Sequence, residues 1–181
     1  MERLLKYAFI FLLSFIIIGL FLPTQYNIKK SISINSSPLY IHYWVNDFKY
    51  WSTWSPWTII DPSFKITLGE KTKGVGANLT WSGQSGNGEL TVTQVNNLSV
   101  HYNIIFNSEH LATSSFSYKK ERNNTTVTWQ IEGNNHATVI AGYQVLLIKY
   151  VIAPSLELGL KNLKSQTEMN SAIKSDSENG T

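Results

Sequence analysis

The chain has 181 residues, with 15 Lys or Arg against 12 Asp or Glu, a formal net charge of +3 and no cysteine. That length suits one domain with a substantial core, and the missing thiols exclude disulfides, thiol nucleophiles and thiolate metal sites. The basic residues are scattered instead of gathered into an arm or stripe, so nucleic acid is not an expected partner.

The first element is apolar. From Tyr7 to Leu22 the stretch YAFIFLLSFIIIGLFL carries no charge, and Leu4 and Leu5 extend it while Lys6 can snorkel toward headgroups. Residues 1–25 are therefore expected to be an N-terminal transmembrane anchor, with the membrane contact at 4–22. A cleaved signal peptide is the rival reading, but PTQYNIKK after the apolar run offers no small-x-small site. Arg3 and Lys6 lie on one flank and Lys29 and Lys30 on the other. The short positive N-terminus then favours a cytoplasmic amino end and a domain outside the cytoplasm.

From Tyr26 the periodicity becomes two, and Ile28, Ile32 and Ile34 read as a strand. Ser37 is an N-cap candidate and Pro38 suits the first helical position of a short apolar helix through Val45. Asp47 can cap a second helix carrying Phe48 and Trp51. Six strands are expected next, centred on Ile66, Leu79, Val92, Tyr102, Phe116 and Trp129, each joined to the next by polar turn residues. Such a run fits an antiparallel meander with one wet face. The cover for the other face is a long helix built on Val145, Ile148, Ile152, Leu156, Leu160 and Leu163. Pro154 should kink or divide it near Ala153. Residues 169–181 are polar and are expected to form a disordered tail.

The densest feature is WSTWSPW, Trp51 to Trp57. A helix makes Trp51 and Trp54 neighbours, whereas Pro56 biases Ser55 out of the helical region and frees Trp57 from their face. The rings are either a packed corner of the core or the wall of an apolar pocket.

The order of strand, two short helices, six strands and a long helix, together with WSTWSPWTIIDPSF, GVGANLTWSG and LELGLKNLK, resembles the SRPBCC superfamily of START-like and polyketide-cyclase-like proteins over Asn27 to Glu168. The resemblance implies an α+β helix-grip fold, a curved antiparallel sheet of about seven strands gripping the C-terminal helix, over residues 26–168. It also implies an elongated apolar cavity between sheet and helix that holds a lipid or other hydrophobic small molecule. Trp51, Trp54, Trp57, Trp81, Tyr102, Tyr118 and Trp129 are the expected ligand-binding residues. A cyclase- or hydrolase-like enzyme using the same cavity, or a non-catalytic envelope interaction protein, is the alternative, because this fold serves many activities.

Catalytic chemistry is thin in the sequence. His42, His101, His110 and His136 have no metal-ligand spacing. Asp61 before Pro62 reads as turn chemistry, Glu109, Glu121 and Glu132 fall at strand ends, and no serine sits in a nucleophile elbow. No catalytic residue, metal or cofactor is expected. The sequence leaves ligand identity and oligomeric state open.

Overall fold

The computed structural model describes residues 1–108, 110–137 and 139–179, with side chains through Asn170 except that of His110. Glu109 and the side chain of His110, both weighed above as acid or base, lie outside the described residues.

Helix α1 spans Glu2–Phe21 and leads through a short link to strand β1, Gln25–Ile34. Three short helices follow: α2 over Pro38–Asn46, α3 over Trp51–Trp54 and α4 over Trp57–Ile60, with a 3-10 turn at Phe48–Tyr50. Then come β2 (Lys65–Leu68), β3 (Asn78–Gly83), β4 (Gly86–Asn96), β5 (Ser99–Phe106), β6 (His110–Lys120), β7 (Thr125–Asn134) and α5 (Ala141–Asn179). The seven strands form one antiparallel sheet in the order β1-β7-β6-β5-β4-β3-β2. From β2 to β7 consecutive strands lie side by side, and β1, from the other end of the chain, closes against β7.

Register gathers most of the large apolar residues of the strands on one face, with Ile105 and Leu111 paired on the other. Ile28 faces Ile131, Phe116 faces Trp129, Tyr118 faces Val127 and Tyr102 faces Val92 across neighbouring strands. The alternate positions, among them Ser31, Asn103, Thr113 and Thr128, turn to the opposite face, as a period of two requires. An irregularity between Val92 and Gln94 restores the alternation around Val95, which pairs with Val100.

Helix α5 crosses the apolar face, burying Val145, Leu156, Leu160 and Leu163. Gly159 fixes how close it comes, because a Cβ there would stand 2.7 Å from the Trp129 ring and 3.0 Å from Pro56 Cδ. Pro154 does not divide α5, which is one helix to Asn179. The proline removes one N–H from the ladder, and the exposed flank of the helix tolerates that loss. The Ser155 hydroxyl beside it donates to the Val151 carbonyl at 2.7 Å. The backbone helix continues into the polar segment expected as a tail, whose side chains beyond Asn170 lie outside the described residues.

The second helix expected after Asp47 is broken into a 3-10 turn and the single turns α3 and α4. Asp47 does act as a cap, accepting from the Lys49 N–H at 3.1 Å. Pro56 splits the remainder by holding Ser55 extended, with φ −57° and ψ 137°.

Candidate functional site

The site begins with the end of a helix. Ser37 accepts from Tyr40 N–H and starts α2 with Pro38 in its first turn. Nine residues later α2 stops, leaving the carbonyls of its last turn without partners in the helix. Ring donors fill two of them. Trp54 Nε1 donates to the Trp44 carbonyl at 3.2 Å, while Trp51 Nε1 and the Tyr102 hydroxyl both donate to that of Val45, at 2.8 and 3.0 Å. The three-residue spacing of Trp51 and Trp54 on α3 places both indoles on α2, with centroids 4.9 Å apart.

Beneath them lies the sheet. Phe116 and Trp129 are register partners on β6 and β7 and stack at 4.7 Å, and Trp54 meets them edge-on at 5.8 and 5.7 Å. Trp51 adds edge contacts to Phe48 at 5.1 Å and Tyr102 at 5.5 Å. These offset and edge geometries are the favoured ones for aromatic pairs. Trp129 Nε1 donates to the Ser114 hydroxyl at 2.9 Å. Every N–H and O–H of the predicted residues in this central cluster thus ends on a protein acceptor.

The neighbouring polar atoms are different. Tyr118 OH, His42 Nδ1 and Trp44 Nε1 are buried and make no hydrogen bond. Tyr118 and His42 meet edge to face, with ring centroids 5.8 Å apart. Burial raises the Tyr118 phenol well above its ordinary value, and it lowers the His42 imidazole, with the positive charge of Lys73 acting in the same direction. At neutral pH the pair is therefore an uncharged phenol beside an uncharged imidazole. It offers a hydrogen-bond donor together with a group that can donate or accept.

Of the seven residues singled out in the sequence, Trp51, Trp54, Tyr102 and Trp129 come together in one buried cluster. Tyr118 is buried in the same core, on the His42 side. Trp57 is half-buried at the edge, on α4 beyond Pro56. Trp81 is also half-buried but belongs to another group, stacked on Phe64 at 6.3 Å and near Phe106 at 6.2 Å. Sequence reasoning passed over Phe48 and Phe116, although Phe116 lies in the same alternation as Tyr118. His42, which has no metal-ligand spacing in the sequence, also comes to this cluster's margin. The signal that could have found His42 is its position one residue after buried Ile41, on an apolar helix pressed to the sheet.

Among the described residues the carboxylates supply no second centre. Asp61 accepts from Ser63 N–H, Ser63 hydroxyl and Ser85 N–H at 2.9, 2.5 and 3.0 Å. The Ser63 hydroxyl above all, then the Ser85 N–H, hold its carboxyl down at about 2. It is the turn residue the sequence suggests. No group of three His, Asp or Glu residues arranged to hold a metal occurs among the described residues. Two depressions, of about 630 and 440 Å³, involve the polar face of the sheet around Asn103, Thr113 and Glu132, and no tryptophan lines either.

No family model and no curated protein matches the chain. Solved structures do. The di-domain ARO/CYC protein StfQ from the steffimycin biosynthetic pathway aligns with a TM-score of 0.63 at 8% identity, over 82% of this chain and 53% of that one. Ara h 8.0201 aligns at 0.58 and 9%, over 80% and 99%. The Aha1 dimer from Colwellia psychrerythraea aligns at 0.55 and 21%, over 79% and 96%. The likeness is one of fold: a curved seven-stranded sheet around a long C-terminal helix, the SRPBCC-like helix-grip fold.

Proposed function

We propose that this protein is a membrane-tethered binding protein that holds a lipid or another hydrophobic small molecule between the sheet and α5. In this reading Trp51, Trp54 and Trp129 form its apolar wall, and Tyr118 and His42 meet its polar end. The observation that carries the reading is the contrast among buried polar atoms. The central cluster satisfies all of its ring donors internally, whereas Tyr118 OH and His42 Nδ1, in contact at its margin, have no protein partner. A buried unpaired polar atom costs about 1–3 kcal/mol, and an apolar wall with a few unpaired polar groups beside it is the pattern of a small-molecule site.

The fold supports this, since a sheet wrapped on a helix encloses its apolar face. The tether is α1, which is long and apolar enough to cross a bilayer. Its amino end faces the cytoplasm in this reading and the domain lies on the other side.

The test has two parts. Native mass spectrometry of the full chain released from detergent should show a co-purified apolar molecule. Tyr118→Phe should keep or slightly raise stability, because it removes an unpaired hydroxyl, and should bind that molecule or an apolar fluorescent probe several-fold more weakly. Unchanged binding by a folded Tyr118→Phe protein would remove Tyr118 from the site.

A further inference from the structure

Helix α1 is not independent of the domain. Its one buried residue, Gly19, lies where a Cβ would stand 2.4 Å from the Val139 carbonyl oxygen and 2.9 Å from the Tyr143 ring. Phe15 stacks on Tyr143 at 4.3 Å with the rings 2° from parallel, and the Tyr143 hydroxyl donates to the Phe15 carbonyl at 2.8 Å. Gly142 lies as close to Leu22, at 2.1 Å from a would-be Cβ to that of Leu22. Small residues thus let the last two turns of α1 touch the first turn of α5, the arrangement that favours helix contacts in lipid. Phe15 is six residues before the end of α1, which is about 9 Å along its axis. A helix spanning the bilayer would therefore carry Tyr143 below the level at which α1 leaves the hydrocarbon.

The start of α5 suits that depth. From Ala141 to Leu156 the only charged residue is Lys149. Ile148, Ile152 and Leu156 turn toward the core under the sheet, yet Leu146, Leu147, Tyr150 and Val151 form a second apolar stripe, exposed by 47, 62, 80 and 43%. A helix apolar on both faces needs cover on both. The sheet covers one face, and it also ties α5 to the domain, so this segment cannot cross a membrane itself. Tyr150 and Lys149 are residue types that sit at the headgroup level, the first by its amphipathic ring and the second by snorkelling.

We infer that the first half of α5 is a second membrane-contacting element. It lies in the bilayer interface with Leu146, Leu147, Tyr150 and Val151 toward lipid and is docked on α1 through Gly19 and Tyr143. The inference rests on α1 being a bilayer span. Its consequence is orientation: the domain is held flat on the membrane with the beginning of α5 against lipid, instead of swinging on a flexible tether.

The chain has no cysteine, so single cysteines can be placed in the full-length protein without a background. Leu147→Cys and Tyr150→Cys, with Phe11→Cys as the anchor control and Lys119→Cys as the aqueous control, are labelled with an environment-sensitive fluorophore. The proteins are reconstituted in vesicles of equal parts phosphatidylcholine and phosphatidylglycerol, some carrying a lipid-bound quencher near the headgroups. The labels at 147 and 150 should be blue-shifted and quenched several-fold more than the label at 119. Quenching at 11 with water-like signals at 147 and 150 overturns this inference and leaves the anchor standing. A water-like signal at 11 overturns the anchor and this inference together. A blue shift at 147 and 150 without lipid quenching assigns the stripe to a second copy of the chain and also overturns it.

Discussion

Trp51 and Tyr102 donate to the same acceptor, the Val45 carbonyl, from two different elements: one from α3 and one from the middle of β5. That shared oxygen ties the end of α2 to both the short helices and the sheet. Tyr102→Phe removes one of the two donors and leaves the carbonyl still paired with Trp51. The loss is then one neutral hydrogen bond, about 1 kcal/mol, read as a lower urea midpoint with an unchanged slope. A loss several times larger would mean that the hydroxyl holds α2 in place by more than this bond.

The two faces of α5 give the next test. Leu156 is fully buried and Tyr150 is 80% exposed on the same helix. Leu156→Asp places an unpaired charge in the core and should destabilise by about 4 kcal/mol or more. Tyr150→Asp should stay within about 0.5 kcal/mol in detergent solution. Thermal unfolding of both variants side by side separates the core stripe from the outer one.

Much of this was legible in advance, and the reasons are physical. Strands with strict alternation, such as Val100-Tyr102-Ile104 and Val127-Trp129-Ile131, expose their faces in the sequence because the period of two is fixed by the backbone. The N-cap at Ser37 and the break at Pro56 are local rules and emerged as expected. Phe116 and His42 have local patterns that mark them as core-facing, but their partners in the site, Trp129 and Tyr118, come from distant parts of the chain that no spacing encodes. Trp81 looked equivalent to Trp129 by type and alternation, yet strand order puts it with Phe64 and Phe106 instead. The contact between α1 and α5 brings together residues 15 and 143 and had no sequence signal beyond two small residues, Gly19 and Gly142.

Asp61 supplies a pH-dependent prediction. Its carboxyl is held at about 2 in the folded protein, against an ordinary aspartate near 3.9 when unfolded. A lowered folded value means that the unfolded state binds the proton first as pH falls. The stabilisation is therefore complete above about pH 4 and is lost as pH drops toward about 2. Asp61→Ala should lower the melting temperature at neutral pH, and the gap to the unsubstituted protein should narrow through that window. A gap that stays constant between pH 6 and pH 2, roughly the span on either side of these values, would show that the turn owes nothing to the charge.

Removing residues 1–25 should leave a folded domain soluble enough to study. The core residues all follow Tyr26, and β1 loses only Gln25 from its pairing with β7. The Thr24 carbonyl also goes, and with it the bond from Asn135 N–H at 2.9 Å. The expected cost is about 1 kcal/mol, with self-association through the uncovered start of α5 as a secondary effect. Loss of cooperative unfolding in the truncated protein would make α1 part of the fold.

The tryptophans of WSTWSPW provide the last prediction. Trp54 is fully buried, meets Phe116 and Trp129 edge-on, and donates to the Trp44 carbonyl. Trp54→Leu keeps apolar bulk but loses the flat ring and the bond, so the fold should survive at a cost of about 3 kcal/mol. Trp51→Leu should cost about as much, since it gives up the bond to Val45. Trp57→Leu, half-buried beyond Pro56, should cost about 1 kcal/mol or less. If the rings also form the wall of a ligand site, the first two variants bind an apolar fluorescent probe several-fold more weakly at matched folded fraction, because leucine offers no aromatic face to stack against. Trp57→Leu then binds nearly as the unsubstituted protein does. If all three bind equally once folding is accounted for, the rings serve the end of α2 and the core alone, and the binding surface must be sought at Tyr118 and His42 without them.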